Sequence, residues 1–378
     1  MKKTKKSILL ISLIGLVIII TMFWLISNPK GDDSISCVEY YAAVLNPPDA
    51  AREWCENGAY FSWESTLPVN ADFAALNIFH TCQGDPDNPA ILMIHGYPTS
   101  SFDYAPLFTA LSDDHYICAL DTPGFGFSDK PMGGFDYSIF DDAQLIDYYI
   151  RDIAALDDFV LLTHDKGDSV GLALLQIYQA YDEAPYQIIQ HFITNGNIFL
   201  PLAQLTRGQK VLLSPVFGPL VSNLLQADPF ARGIGESTFA TSLTQSEIQA
   251  YASIFGYQDG TSVQHEIIEY LNERKANEVA WLETLGRSDT PTTLIWGELD
   301  QIAPLAVADH VWMNYLRERE TPAAYWRIPC ADHYLQVDVP DLMANILRTT
   351  LAEDVIPAEI EGKLCKAIKF NRIDDILN

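Results

Sequence analysis

Apolar positions fall in short, dense runs along the chain, and these runs alternate with stretches in which apolar residues recur at helical spacing. AILMIHG (90–96), YICALD (116–121), DFVLLTH (158–164), HFITNG (191–196), TTLIWG (292–297) and AAYWRIP (323–329) read as short buried strands, most of them closed by Gly, Pro or a polar residue. Between them, DDAQLIDYYIRDIAAL and LAVADHVWMNYLRER carry the period of helices that bury one face. This alternation predicts an α/β fold with a mainly parallel central sheet flanked by helices.

From about Asn197 to Arg287 the strand pattern stops. Helical segments replace it, among them LTQSEIQAYASIFG, where Thr244 and Glu247 have the spacing of a capping box, and VQHEIIEYLNERKANEVAWLETL. An insertion between two strands lies over their carboxyl ends, where open parallel sheets place ligands, so it is expected to act as a lid. The pattern divides the chain into a membrane segment (1–30), an N-terminal extension (31–71), a first part of the core (72–196), a helical cap (197–287) and a second part of the core with a C-terminal helix (288–378).

The first 30 residues stand apart. MKKTKK precedes SILLISLIGLVIIITMFWLIS, about twenty apolar or small residues, enough to cross a bilayer as one helix. The lysine flank is expected to stay cytoplasmic, with the remainder of the chain exported behind an uncleaved anchor. A cleaved signal peptide is the competing reading, and it makes the remainder secreted.

Composition narrows the partners. The chain of 378 residues is 48% hydrophobic and 19% charged, which suits a large core and excludes general disorder. Its net charge is −27, and all 50 acidic residues lie beyond position 30. Nucleic acid is a poor partner for that charge, and a strongly solvated acidic surface accounts for it. Of the six cysteines, Cys118 reads as a small core residue within a strand, while Cys37 and Cys55 flank a short segment and are able to pair in an oxidising compartment.

The stretch LLTHDKGDSVGLAL (161–174) holds two overlapping candidates for a nucleophile elbow. GDSVG has the G-x-S-x-G form with Ser169 at its apex; HDKG places Asp165 there instead. An elbow needs a strand that ends, one residue in a strained turn and a helix that begins at once, with small residues allowing close approach. With Asp165 at the apex, the strand is the apolar FVLL, Gly167 relieves crowding and DSVGLALLQIYQAY is the helix. With Ser169 there, Asp165 and Lys166 must extend a buried strand, at a cost of several kcal/mol for unpaired charge. Asp165 is therefore the expected nucleophile, and Ser169 the alternative.

A carboxylate nucleophile attacks an electrophilic carbon to give an enzyme ester, which a base-activated water then hydrolyses while backbone N–H groups hold the oxyanion. Such chemistry requires a histidine and an orienting acid. Asp300 after TTLIWG and His333 in PCADHYLQVDVP follow the nucleophile in the order expected, each just past a strand end. Glu298 is a rival to Asp300 but follows Gly297 directly.

Several motifs carry a resemblance. HGYPTSSFDY (95–104), DTPGFGFSDKP (121–131), HDKGD (164–168) and GELDQIAP (297–304) resemble the α/β-hydrolase superfamily, in the branch of epoxide hydrolases and haloalkane dehalogenases that uses Asp in place of Ser. Within it, HGYPTSSFDY, GFGFSDKP, DYSIF, HDKGD and NGNIF are most similar to the mesoderm-specific transcript proteins, across roughly residues 72–350. The resemblance implies Asp165 as nucleophile, His333 as base and Asp300 as its partner, with the backbone N–H groups of Tyr97 and Lys166 forming the oxyanion hole. Some dehalogenases take the acid from the end of the preceding strand, where this chain reads NGN.

Haloalkane dehalogenases usually place Trp after the nucleophile and often Asn in the HGxP turn. Lys166 and Tyr97 stand there instead, which disfavours neutral alkyl halides. Epoxide hydrolases use two lid tyrosines as acids. Tyr270 in IIEYLNERK resembles the second, while SPVFGPLVSNLL contains no first, leaving Tyr251 or Tyr257 as substitutes. Lys166 either selects an anionic substrate, as an Arg does in fluoroacetate-dehalogenase relatives, or is a partly solvated side chain that lowers the Asp165 pKa. The expected function is a membrane-anchored hydrolase opening epoxides of small apolar or weakly polar organic molecules through an Asp165 ester. A haloacid or haloalkane dehalogenase, a serine esterase using Ser169 and a non-catalytic binding fold are the alternatives. No cofactor or metal is implied.

Overall fold

The computed structural model describes residues 35–352 and 357–369. Ten strands form one sheet: β1 (Gly58–Trp63), β2 (Leu76–Gln83), β3 (Ala90–Ile94), β4 (Tyr116–Leu120), β5 (Asp158–His164), β6 (Gln187–Thr194), β7 (Thr292–Gly297), β8 (Ala323–Ile328), β9 (Glu359–Glu361) and β10 (Lys366–Lys369). Their order is β1-β2-β4-β3-β5-β6-β7-β8-β10-β9. Strands β4, β3, β5, β6, β7 and β8 are parallel, and they correspond to the six apolar runs.

The antiparallel edge strands were not anticipated. Residues of β1 are mostly half-exposed, and β9 and β10 are only three and four residues long, so none carries a buried run. The sheet thus begins at Gly58, within the stretch read as an N-terminal extension.

Alternation along the parallel strands feeds two cores. In β3, Leu92 and Ile94 face one side, with Leu161, Val170 and Leu174; Ile91 and Met93 face the other, with Val160, Leu162 and Trp326. Strand β3 lies between β4 and β5, so the chain reverses direction across the sheet there, and a crevice opens beyond the carboxyl ends.

Between β6 and β7 the described secondary structure is helical, from a short turn at Leu200–Leu202 to the long helix Tyr270–Arg287. The expected capping box is formed: the Thr244 N–H donates to Glu247 Oε2 (2.6 Å) and the Glu247 N–H to Thr244 Oγ1 (3.4 Å). A small cluster of Phe239, Ile248, Tyr251, Phe255 and Tyr334 packs these helices against the loop after β8.

Three disulfides staple the fold. Cys37–Cys55 is present. Cys118 is not a free core thiol but bonds Cys82, its direct neighbour across β2 and β4. The sequence offered no sign of this pairing, because β2 was not recognised as a strand. Cys330–Cys365 ties the end of β8 to the start of β10. The expected membrane segment, residues 1–30, lies outside the described residues; among these, no helix is long and apolar enough to cross a membrane.

Candidate active site

Strand β5 ends at His164 and a helix begins at Lys166 (Lys166–Ala180), leaving Asp165 as the single residue of the turn. Its φ of 51° and ψ of −110° are a strained conformation for a residue with a Cβ. Two glycines make the turn possible. A Cβ at Gly167 would lie 2.3 Å from the Ile94 carbonyl oxygen, and one at Gly96 would lie 2.5 Å from Asp165 Cβ.

The Asp165 carboxylate is held asymmetrically. Oδ1 accepts from the backbone N–H of Tyr97 (3.0 Å) and of Lys166. Oδ2 faces His333 Nε2 at 3.7 Å, beyond direct hydrogen-bond range. His333 Nδ1 lies 2.8 Å from Asp300 Oδ2. The three expected residues, from the ends of β5, β7 and β8, are therefore brought together and buried.

Asp300 is fully satisfied: Oδ1 accepts from the N–H groups of Ile302 (2.7 Å) and Ala303 (3.0 Å), and Oδ2 also accepts from Asn195 Nδ2 (2.7 Å). Burial disfavours its charge, but the His333 imidazolium and these donors outweigh burial and hold its pKa below the usual value. For His333, burial likewise opposes the charged form. The Asp300 carboxylate, assisted by Asp165 and Asp332, overrides it and lifts the pKa to about 9. Glu298, the rival acid, is exposed.

Asn195 went unrecognised in the sequence. It occupies the position read as lacking a carboxylate, adopts a φ of 45°, and joins Asp300 to the backbone of β7 by accepting from the Gly297 N–H (2.9 Å). Its only signal was its place at the end of β6, and left-handed backbone is tolerable for Asn.

Lys166 differs from both roles expected of its side chain. Its ammonium is buried, not partly solvated, and is paired with Asp142, with the Phe125 ring 5.0 Å away. It is therefore neutralised inside the protein.

Ser169 also lacks the setting of a nucleophile. Its Oγ is buried and accepts from Arg274 Nε (2.7 Å). Arg274, on the helix Tyr270–Arg287, is itself fully buried and donates to the carbonyl oxygens of Asp165 (3.1 Å) and Asn197 (3.3 Å). A cap residue thus clamps the elbow, a contact that spans more than a hundred positions of sequence.

Tyr270 is buried with its ring 5.8 Å from that of Tyr97 and 4.9 Å from the Arg274 guanidinium. Burial, and then the Asp165 charge, push its pKa well up. The Tyr97 hydroxyl is buried without a hydrogen-bond partner. Tyr251 is bonded to Asp103 and the Tyr257 hydroxyl donates to Ile35 O, so both proposed substitutes are engaged elsewhere.

A cavity of about 400 Å³ opens above Asp165. Cap residues such as Leu212, Leu225, Phe230 and Ile234 line it together with Tyr97 and Tyr334. No Lys or Arg does, so Asp165 and His333 are its charged groups. Among the described residues no cluster of His, Cys, Asp or Glu is arranged to hold a metal ion.

Known proteins agree with this architecture. The putative hydrolase LipZ of Mycobacterium tuberculosis is 31% identical over 305 residues, covering 80% of this chain and 99% of LipZ. The mesoderm-specific transcript protein of Mus musculus is 30% identical over 277 residues, covering 71% of this chain and 80% of that protein. The structure of haloalkane dehalogenase DbeA from Bradyrhizobium elkani superposes with a TM-score of 0.62 at 18% identity, covering 78% of this chain and 98% of that one. Residues 89–340 match the alpha/beta hydrolase fold family, and the chain belongs to it as a hydrolase.

Proposed function

We propose that this hydrolase opens uncharged, apolar epoxides through an ester on Asp165. The supporting observation is the asymmetry of that carboxylate: Oδ1 rests on two backbone N–H groups, while Oδ2 faces His333 and the cavity. Oδ2 attacks an epoxide carbon, the ring C–O bond breaks, and its electron pair goes to the oxygen, which takes a proton from a phenol. Tyr97, whose hydroxyl has no partner among the described residues, lines the cavity, and Tyr270 packs with its ring 5.8 Å from that of Tyr97; these are the phenols assigned to this step.

The ester carbonyl oxygen is then Oδ1, already in place on its two donors. Water adds to the carboxyl carbon as His333 takes its proton, and the negative charge that develops on Oδ1 meets the same N–H groups. Esterification also removes the Asp165 charge that helps raise the His333 pKa, so the ring gives up its resting proton to solvent more readily and stands neutral, able to accept one, at the step that needs a base. On collapse, His333 protonates the departing alkoxide and the regenerated Asp165 acid returns a proton to the phenolate, giving a diol.

The cavity wall favours this reading over a haloacid substrate, because it offers a carboxylate no Lys or Arg, its one cationic group, His333, already faces Asp165, and Lys166 is paired with Asp142. Esterase chemistry at Ser169 is disfavoured by its bond to Arg274. We place the anchor at residues 1–30 and the folded chain outside the cytoplasm, a location with which three disulfides accord. One turnover in heavy-oxygen water with a panel of uncharged epoxides tests the chemistry. The label is expected in the Asp165 carboxylate and not in the first diol; the reverse distribution refutes the ester.

A further inference from the structure

The acidic residues are spread unevenly, and the gap coincides with a structural feature. From Ala184 to Ala227 the chain contains no Asp or Glu, although it carries 50 in all. The second half of this stretch forms the cap helices Arg207–Leu212 and Phe217–Leu224. Their outer surface is apolar: Val211 is 40% exposed, Val216 62%, Phe217 59% and Leu224 64%. Its two charged residues are the exposed cations Arg207 and Lys210.

The inner side of helix Phe217–Leu224 is formed by Gly218 and Ser222, with the half-buried Val221 packed on the core, and no charged residue lies on the helix. Ser222 turns inward to the carbonyl oxygens of Thr261 and Ser262, and Asn223 bonds the Pro219 carbonyl of its own helix. A helix with apolar residues all round ordinarily lies inside a protein or a bilayer. Here one flank has no cover among the described residues.

The geometry points to a lipid bilayer as that cover: the face formed by Val211, Val216, Phe217 and Leu224 dips into the boundary between headgroups and acyl chains, with Arg207 and Lys210 at the phosphates, and substrate passes from the membrane into the cavity. This inference rests on the proposed hydrolysis of apolar epoxides and specifies where they come from. Three observations select a bilayer over other occupants.

The same segments line the cavity through Thr206, Gln209, Leu212 and Leu225, so the uncovered face borders the path to Asp165. The sequence before Ile35, the first described residue, holds the apolar stretch of about twenty residues, and Ile35 itself meets the cap. Ile35 O accepts from Tyr257, and the short segment after Tyr257 leads to Thr261, whose Oγ1 bonds Leu225 O. An anchored chain would therefore hold this face near the membrane. Elsewhere an acidic surface is repelled by anionic lipid, whereas this face carries only positive charge. A second copy is the poorer occupant, since four exposed side chains fall far short of the roughly 20–30 residues a side of a standard interface.

The test uses the full chain reconstituted in phosphatidylcholine vesicles. All six cysteines are paired, so Phe217→Cys and Leu224→Cys each give a unique thiol for a bimane label, with Ile189→Cys, 42% exposed on β6, as the control. Nitroxides on the acyl chains are expected to quench label at 217 and 224 by about twofold or more and to spare 189, as interfacial burial of this face requires. A Phe217→Glu/Leu224→Glu variant is expected to lose about tenfold in turnover of a long-chain epoxide dissolved in the vesicles, with a short water-soluble epoxide unaffected. Label at 217 and 224 unquenched by lipid nitroxide overturns the proposal. So does quenching that depends on protein concentration and not on the nitroxide, which assigns the face to a second copy. Nitroxide quenching without turnover of any epoxide leaves the docking face standing and sinks the epoxide reading instead.

Discussion

Replacing His333 by Gln separates the two halves of the proposed reaction. Asp165 Oδ2 is 3.7 Å from Nε2, so the first step, attack on carbon, does not pass a proton through the ring. Hydrolysis of the ester does. Loss of a general base costs about 10²–10⁴-fold in the step it serves, equivalent to about 3–5 kcal/mol of barrier. The variant is expected to fold, because Asp300 keeps Asn195, Ile302 and Ala303 as donors and a Gln amide is able to reach Oδ2. The lost bond costs about 1–3 kcal/mol of stability. Mixing H333Q with an epoxide that the wild type turns over should give a burst of one adduct per chain with the mass of the epoxide, followed by turnover slowed by the same factor. Intact-mass measurement reads the adduct, and peptide mapping should place it on Asp165. Diol release at the wild-type rate with no adduct, or an adduct on Ser169 Oγ, refutes the reasoning.

Three further outcomes follow from the same contacts. Asn195→Ala removes a donor to Asp300 and an acceptor for Gly297, so kcat should fall by about tenfold with KM nearly unchanged, since Asn195 does not line the cavity; a change in KM alone would contradict a positioning role. Arg274→Met leaves Ser169 Oγ and two carbonyl oxygens without their donor and should lower unfolding free energy by about 3 kcal/mol in chemical denaturation, with Arg274→Lys recovering part of it. The folded His333 pKa of about 9 stands above its ordinary 6.5, so its stabilising contribution is complete below pH 6.5 and is lost as pH rises through about 9. Thermal unfolding across that window should show a decline in Tm that His333→Gln flattens.

The central part of the fold was legible because burial on both faces writes itself into composition. Strands β5 and β7 are buried almost throughout, and a strand of that kind reads as an apolar run. Edge strands carry no such mark. Residues of β1 are mostly half-exposed, and the partners of β2 are set by neighbours far away in sequence, which is why the Cys82–Cys118 bond was also missed. The elbow was legible for a different reason: steric demand at Asp165 is met locally by Gly167, within two residues.

What the sequence withheld is the polar scaffold around the elbow, and the reason is electrostatic. Lys166 follows the apex directly, and read alone it is a cation free to meet solvent or substrate. A buried ammonium requires a partner, and Asp142 supplies it from 24 positions earlier. Arg274 and Asn195 act across still longer separations, each of about a hundred residues, on Ser169 and Asp300. Hydrogen bonds of this sort leave no periodicity, because a single donor on one element serves a single acceptor on another. In the proposed reading they bear on which of the chemistries that share one motif is favoured. With Lys166 paired to Asp142 and Ser169 held by Arg274, the groups that an anionic substrate or a serine nucleophile would use are engaged, and the carboxylate of Asp165 faces a mainly apolar cavity in which His333 is the other charged group.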